Sequence, residues 1–89
     1  MSQYKLQTTR KFEKEFRKLD RYTQRMIAGW IDMNLASTTT PRRQGKALTG
    51  DLRGLWRYRI GTYRLICKIE DNKLVILALH VGHRRDIYK

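Results

Sequence analysis

The sequence predicts an α+β domain: a short N-terminal strand and a two-helix hairpin packed on an antiparallel β-sheet. Two observations carry that reading. Apolar residues recur at helical spacing as far as Leu35, and from Leu55 onward they recur at every second position. The 89-residue length adds a bound, since it allows one hydrophobic core, so residues 1–89 are expected to form a single domain.

Tyr4 and Leu6 alternate with Lys5 and Gln7, the pattern of a short strand, and Thr8 or Thr9 then offers a hydroxyl to cap a helix. Phe12, Phe16 and Leu19, at i, i+4 and i+7, line one face of that helix, with charged residues on the rest. A break near Asp20 to Thr23 precedes a second helix, whose stripe of Met26, Ile27, Trp30, Ile31 and Leu35 completes a hairpin. Residues 37–45 are polar, hold Pro41 and show no period, which predicts a connecting loop. Residues 55–60, 63–69 and 73–80 are rich in β-branched and aromatic side chains. Gly61-Thr62 and Asp71-Asn72 separate them, as in a three-stranded antiparallel meander.

Lys and Arg number 20 against 8 Asp and Glu, a net charge of +12 that points to a polyanionic partner, nucleic acid first. The surplus is uneven. Residues 36–89 hold 12 basic and 4 acidic side chains and residues 1–35 hold 8 and 4, so the C-terminal part is the expected binding half. The basic excess falls mostly outside the helical half, which argues against an amphipathic membrane-binding helix. Cys67 has no partner for an internal disulfide, as suits a reducing cytoplasm. The first eleven residues lack an apolar leader core, and the longest apolar run is far too short to span a bilayer. A soluble cytoplasmic protein without a membrane partner is expected.

Gly61-Thr62 suits a two-residue type II′ hairpin, with glycine at the positive φ of the first central position. That turn fixes the register: Ile60 faces Tyr63, Arg59 faces Arg64, Tyr58 faces Leu65, Arg57 faces Ile66 and Trp56 faces Cys67. Alternation then collects Trp56, Tyr58, Ile60, Tyr63, Leu65 and Cys67 on a face that the helices can cover. The opposite face collects Arg57, Arg59 and Arg64. Like charges across a ladder cost about 1 kcal/mol per close pair, a cost an anionic ligand removes. The planar donor fork of arginine suits bidentate grip on phosphate, so this face is the expected phosphodiester cradle.

The C-terminal run from His80 to Tyr88 bears on the same face. Gly82 is expected to interrupt the final strand and turn the chain, so that His83, Arg84 and Tyr88 lean back over the arginines. Histidine and tyrosine beside arginines suggest proton transfer near a phosphate. No acidic cluster suited to catalytic magnesium is visible, so no metal or other cofactor is expected. The chemistry anticipated is attack by the RNA's own 2′-hydroxyl, with protein cations stabilising the pentacovalent phosphate.

The run from Leu48 to Arg64, with its Trp-Arg-x-Arg-x-Gly-x-Tyr-Arg core at residues 56–64, and the ending Val-Gly-His-Arg-Arg-Asp-Ile-Tyr at residues 81–88 resemble the RelE/ParE toxin superfamily of type II toxin–antitoxin systems. The likeness spans essentially the whole chain and is nearest to the RelE/StbE branch. It implies the RelE-like, microbial-ribonuclease-type architecture and a ribosome-dependent endoribonuclease that cuts mRNA in the A site of the 70S ribosome, inhibiting translation. It also implies a cognate acidic, RelB-like antitoxin, with operator DNA bound only through the toxin–antitoxin complex. Carried over, Arg57 and Arg59 fall where the family often has lysines that bind and activate the substrate. Arg64 falls at the transition-state arginine, Arg84 at the candidate acid for the leaving group, and Tyr88 at the tyrosine that orients the nucleotide or assists the proton transfer. His83 falls where members carry lysine or histidine. The catalytic set expected is therefore Arg59, Arg64, His83, Arg84 and Tyr88, with Lys46, Arg57 and Arg85 binding substrate. Arginine at 57 or 59 holds its proton too tightly to act as a base, which shifts that role to His83 or Tyr88. Two other functions share the fold: a ParE-like inhibitor that binds DNA gyrase without ribonuclease chemistry, and an inert nucleic-acid-binding module.

Overall fold

Side-chain caps set both helix starts. In the computed structural model, which describes residues 2–87, strand β1 (Lys5–Thr8) leads into helix α1 (Arg10–Arg17), and the Thr9 hydroxyl accepts the Phe12 N–H at 3.2 Å. The Asp20 carboxylate accepts the Thr23 N–H at 3.1 Å and so starts helix α2 (Arg21–Asn34). The break between the helices is thus tighter than the apolar period suggested, because Asp20 is the cap and Arg21 is already helical. No helix among the described residues is long and apolar enough to cross a membrane.

The sheet has five strands rather than three plus an isolated one. After α2 come β2 (Lys46–Ala47), a 3₁₀ turn at Gly50–Leu52, β3 (Trp56–Ile60), β4 (Tyr63–Glu70) and β5 (Val75–His83). Their order in space is β1-β5-β4-β3-β2. The meander β3-β4-β5 is antiparallel as expected, but β1 runs parallel to β5, with Lys5 against Val75 and Thr8 against Ala78. The expected all-antiparallel sheet is therefore corrected to a mixed one. The chain passes through both helices and three other strands between these two, so no hairpin turn dictates their relative direction.

The β3–β4 register is the one the turn demands, from Ile60 opposite Tyr63 to Trp56 opposite Cys67, and Gly61 takes a φ of 62°. Tyr58, Ile60, Leu65 and Cys67 are buried with Phe12, Ile27, Ile31 and Leu35 of the helical layer, while Trp56 and Tyr63 pack at the margin. Burial pushes the Tyr58 phenol and the Cys67 thiol well above their ordinary values, and the phenol donates to the Pro41 carbonyl. These groups hold the core and do not exchange protons at neutral pH.

The loop at residues 37–45 ends against β3. Gly45 takes a φ of 89°, and a Cβ there would lie 2.4 Å from the Arg57 carbonyl oxygen and 2.5 Å from Trp56 Nε1. Only glycine allows that approach. It lets the Gln44 carbonyl accept the Trp56 indole N–H at 2.8 Å and sets Lys46 opposite Arg57.

Candidate functional site

Cross-strand partners share a face, so the register sorts the sheet into a covered side and a basic side. Lys46 and Arg57 are partners, Arg59 and Arg64 are partners, and the three arginines alternate with the buried Tyr58 and Leu65. In a two-residue hairpin the residues flanking the turn exchange their hydrogen bonds, which makes Ile60–Tyr63 the bonded pair and Arg59–Arg64 a non-bonded one. Side chains approach most closely at such non-bonded pairs. The Arg64 Nη1 donates to the Tyr63 carbonyl at 3.1 Å and to the Gly61 carbonyl at 3.4 Å, which ties its guanidinium to the turn. Ile66 lies on the same face, across from Arg57 and His80, yet is only 1% exposed.

The ending of β5 differs from expectation. Gly82 does not interrupt the strand, which runs through it to His83, with Gly82 opposite Arg64 and His83 opposite Tyr63. The His83 and Tyr63 rings meet edge to face at 5.5 Å, and Tyr63 packs against the core, so His83 lies on the helix side of the ladder rather than over the arginines. The chain turns only after His83, whose carbonyl accepts the Asp86 and Ile87 N–H groups at 2.8 and 3.1 Å. Arg84, just past the end of β5, donates its N–H to the Thr62 carbonyl at 2.9 Å and so sits beside the β3–β4 turn. Arg85 is exposed, and its N–H donates to His83 Nδ1 at 3.2 Å. Tyr88 lies outside the described residues.

The structure thus sets Lys46, Arg57, Arg59 and Arg64 on one face, leaves Arg84 beside the β3–β4 turn, and separates His83 from the four by the thickness of the sheet. Among the described residues, no group of three or more His, Cys, Asp or Glu side chains could hold a metal ion.

Two features escaped the sequence. Glu15 of α1 covers the part of β5 that β1 leaves bare, accepting the Val81 N–H at 3.1 Å with its Oε1 3.7 Å from His80 Nδ1. No local pattern links residues 66 apart in the chain. The other is a cleft of about 340 Å³ beside β3, lined by Trp30, Gln44, Gly45, Lys46, Arg57 and Arg59. Trp30 reads as core by its spacing, and only the fold shows that part of it remains open to this cleft.

Residues 6–88 match the family model described as the ParE toxin of the type II toxin–antitoxin system parDE. Toxin RelG of Mycobacterium tuberculosis is 35% identical over 74 residues, spanning 82% of this chain and 85% of that toxin. Toxin RelE of the same organism is 30% identical over 82% of this chain and 76% of its own length. Among solved structures, the toxin–antitoxin complex RelBE2 of Mycobacterium tuberculosis superimposes with a TM-score of 0.84 at 30% identity, covering 97% of each chain. The archaeal RelE–RelB complex of Pyrococcus horikoshii gives 0.69 at 25% identity, covering 96% of this chain and 99% of that one. With its two helices packed on a mixed five-stranded sheet, the chain belongs to the RelE/ParE superfamily and is a toxin of a type II toxin–antitoxin system.

Proposed function

We propose that this toxin is a ribosome-dependent endoribonuclease that cleaves mRNA in the A site and thereby stops translation in the cytoplasm. The observation that carries the reading is the basic face, where Lys46, Arg57, Arg59 and Arg64 lie on one side of the sheet with the Arg84 backbone held at the β3–β4 turn. Arg59, Arg64 and Arg84 clamp the scissile phosphate, and Lys46, Arg57 and Arg85 hold the flanking backbone. The RNA 2′-hydroxyl attacks the adjacent phosphorus, the 5′-oxygen leaves, and the products are a 2′,3′-cyclic phosphate and a 5′-hydroxyl. The guanidinium groups stabilise the charge that builds on the pentacovalent phosphate. Proton transfer falls to Tyr88, because arginine does not release its proton near neutral pH and His83 lies on the other side of the sheet from the clamp. An acidic RelB-like antitoxin neutralises the face, and operator DNA is met only through that complex. Solved complexes of relatives with their antitoxins support this partner.

The test is 5′-end mapping of an mRNA in a purified translation system, with and without ribosomes. Cuts inside the A-site codon that require the ribosome are expected, and Arg64→Ala should slow them by roughly 10²–10³-fold. Full-rate cleavage by His83→Ala is expected, and a loss of rate there would return proton transfer to His83. Intact mRNA would overturn the nuclease reading in favour of gyrase inhibition, the reading favoured by the ParE description of the matching family model, and a supercoiling assay would then decide.

A further inference from the structure

Arg57 lines the cleft beside β3, and its Nε is shut off from solvent with no hydrogen-bond partner among the described residues, so the rest of its guanidinium is the part a ligand can reach. Around it stand two more cations, Lys46 and Arg59, and the indole of Trp30. The cleft exists because β2 covers only Trp56 and Arg57, leaving the rest of the β3 edge bare between the helical layer and the basic face. By the pairing argument above, Arg59 directs its backbone N–H and C=O to that bare edge. Trp30 is braced from behind by Tyr58, with ring centroids 5.6 Å apart. From the side, Asn34 Nδ2 donates to the Trp30 carbonyl at 2.9 Å, and Gln44 Nε2 donates to Asn34 Oδ1 at 2.8 Å. The larger neighbouring cleft, about 620 Å³, has Arg43 as its only charged lining residue and lacks this combination.

We infer that the Trp30 cleft is a nucleotide subsite: one base of the RNA stacks on the Trp30 indole while its phosphate engages Lys46 and the Arg57 guanidinium. A flat apolar ring beside several cations recognises a base joined to a phosphate, since every base offers a π-face and every link a charge. A carboxylate-bearing peptide would use the cations and leave the indole idle. The bare backbone of Arg59 offers a donor and an acceptor to the edge of the stacked base. The assignment rests on the endonuclease reading for its biological substrate, whereas its physical content is binding.

The probe is a trinucleotide with 2′-O-methyl riboses, which cannot be cleaved, titrated into the full-length toxin carrying Trp56→Phe so that emission reports Trp30 alone. Saturable quenching is expected. An abasic trinucleotide of equal charge should bind about tenfold more weakly, and Arg57→Gln should weaken the intact probe by about tenfold as well. If Trp56→Phe does not fold, the Trp30 indole N–H resonance of the unaltered chain gives the same reading by NMR. Equal binding of the abasic probe would overturn base stacking, and equal binding of hexaglutamate would make this a docking site for acidic peptide. An unresponsive Trp30 in a toxin that still cleaves mRNA on the ribosome defeats the subsite and leaves the nuclease standing. Quenching without cleavage defeats the nuclease and leaves the subsite.

Discussion

At the β4–β5 turn, Arg42 places its two Nη atoms 2.9 Å from the two oxygens of Asp71, and the Tyr4 hydroxyl donates to the same carboxylate at 2.6 Å. At the β3–β4 turn, Arg59 stands across the ladder from another arginine. The same side chain does two different jobs. Arg42 spends its donor fork on an internal carboxylate and fastens the 37–45 loop and the N-terminal segment to the sheet. Arg59 faces like charge, and in the proposed function its fork grips an RNA phosphate. A planar donor fork neutralised by an internal carboxylate signals architecture, and one set against like charge is available to an anionic ligand.

The comparison sharpens when taken across the thickness of one strand pair. Leu65 and Arg59 belong to the same hairpin but to opposite faces, Leu65 fully buried and Arg59 exposed. Leu65→Ala opens a cavity in the core and should cost about 2–5 kcal/mol in urea-unfolding experiments, the largest stability effect expected here. Cleavage by the molecules that remain folded should be unchanged. A loss under about 1 kcal/mol would show that the layer between sheet and helices is loosely packed and that the division between faces is weaker than the burial indicates.

Arg59→Gln should do the reverse. Cleavage is expected to fall by roughly 10–100-fold, while stability stays the same or rises by up to about 1 kcal/mol as the repulsion with Arg64 is relieved. The salt dependence of binding to single-stranded RNA should also become shallower, by about 0.7 in the log–log slope for one lost phosphate contact. A variant that unfolds more easily and cleaves as well as the original would assign Arg59 an architectural role like that of Arg42, and the contrast would collapse.

How far the sequence disclosed this arrangement depends on the range of the interaction concerned. The Gly61-Thr62 turn is local chemistry, and with the two-residue period it was enough to set the β3–β4 register and gather Arg57, Arg59 and Arg64 on one face. The place of Lys46 was not legible in its own neighbourhood. It depends on Gly45 tolerating the Arg57 carbonyl at a distance no Cβ would survive. Gly82 misled, because a glycine within a strand pattern signals a break as readily as continuation. Here its backbone conformation is ordinary, and the strand continues far enough to turn His83 toward Tyr63. The parallel direction of β1 and the reach of Glu15 to Val81 join opposite ends of the chain, and no short-range pattern encodes such contacts.

The clamp at Asp71 provides the smallest effect and the cleanest control. The Arg42 guanidinium, and after it the Tyr4 hydroxyl, hold the Asp71 carboxyl below its ordinary value of 3.8, while the hydrogen bond to Asp71 raises the Tyr4 phenol above its ordinary 10.0. The signs follow by linkage. A carboxyl lowered in the folded state contributes stability that is complete above 3.8 and is lost as pH falls through the lower folded value. A phenol raised in the folded state contributes stability that is complete below 10.0 and is lost as pH rises through the higher folded value. Between these limits the contribution is flat. The stability difference between the original chain and Asp71→Asn, measured by urea unfolding, should therefore be constant from about pH 5 to 9 and shrink in stronger acid. It should also be small, because both partners are about half exposed and water screens the pair. Ribosomal cleavage should be insensitive to the substitution across that range, since the clamp lies at the opposite end of β4 from Arg64. A cleavage rate that followed the titration of Asp71 would show that the paired arginine and the ligand-facing arginines are coupled through β4, and the two regions would have to be treated as one.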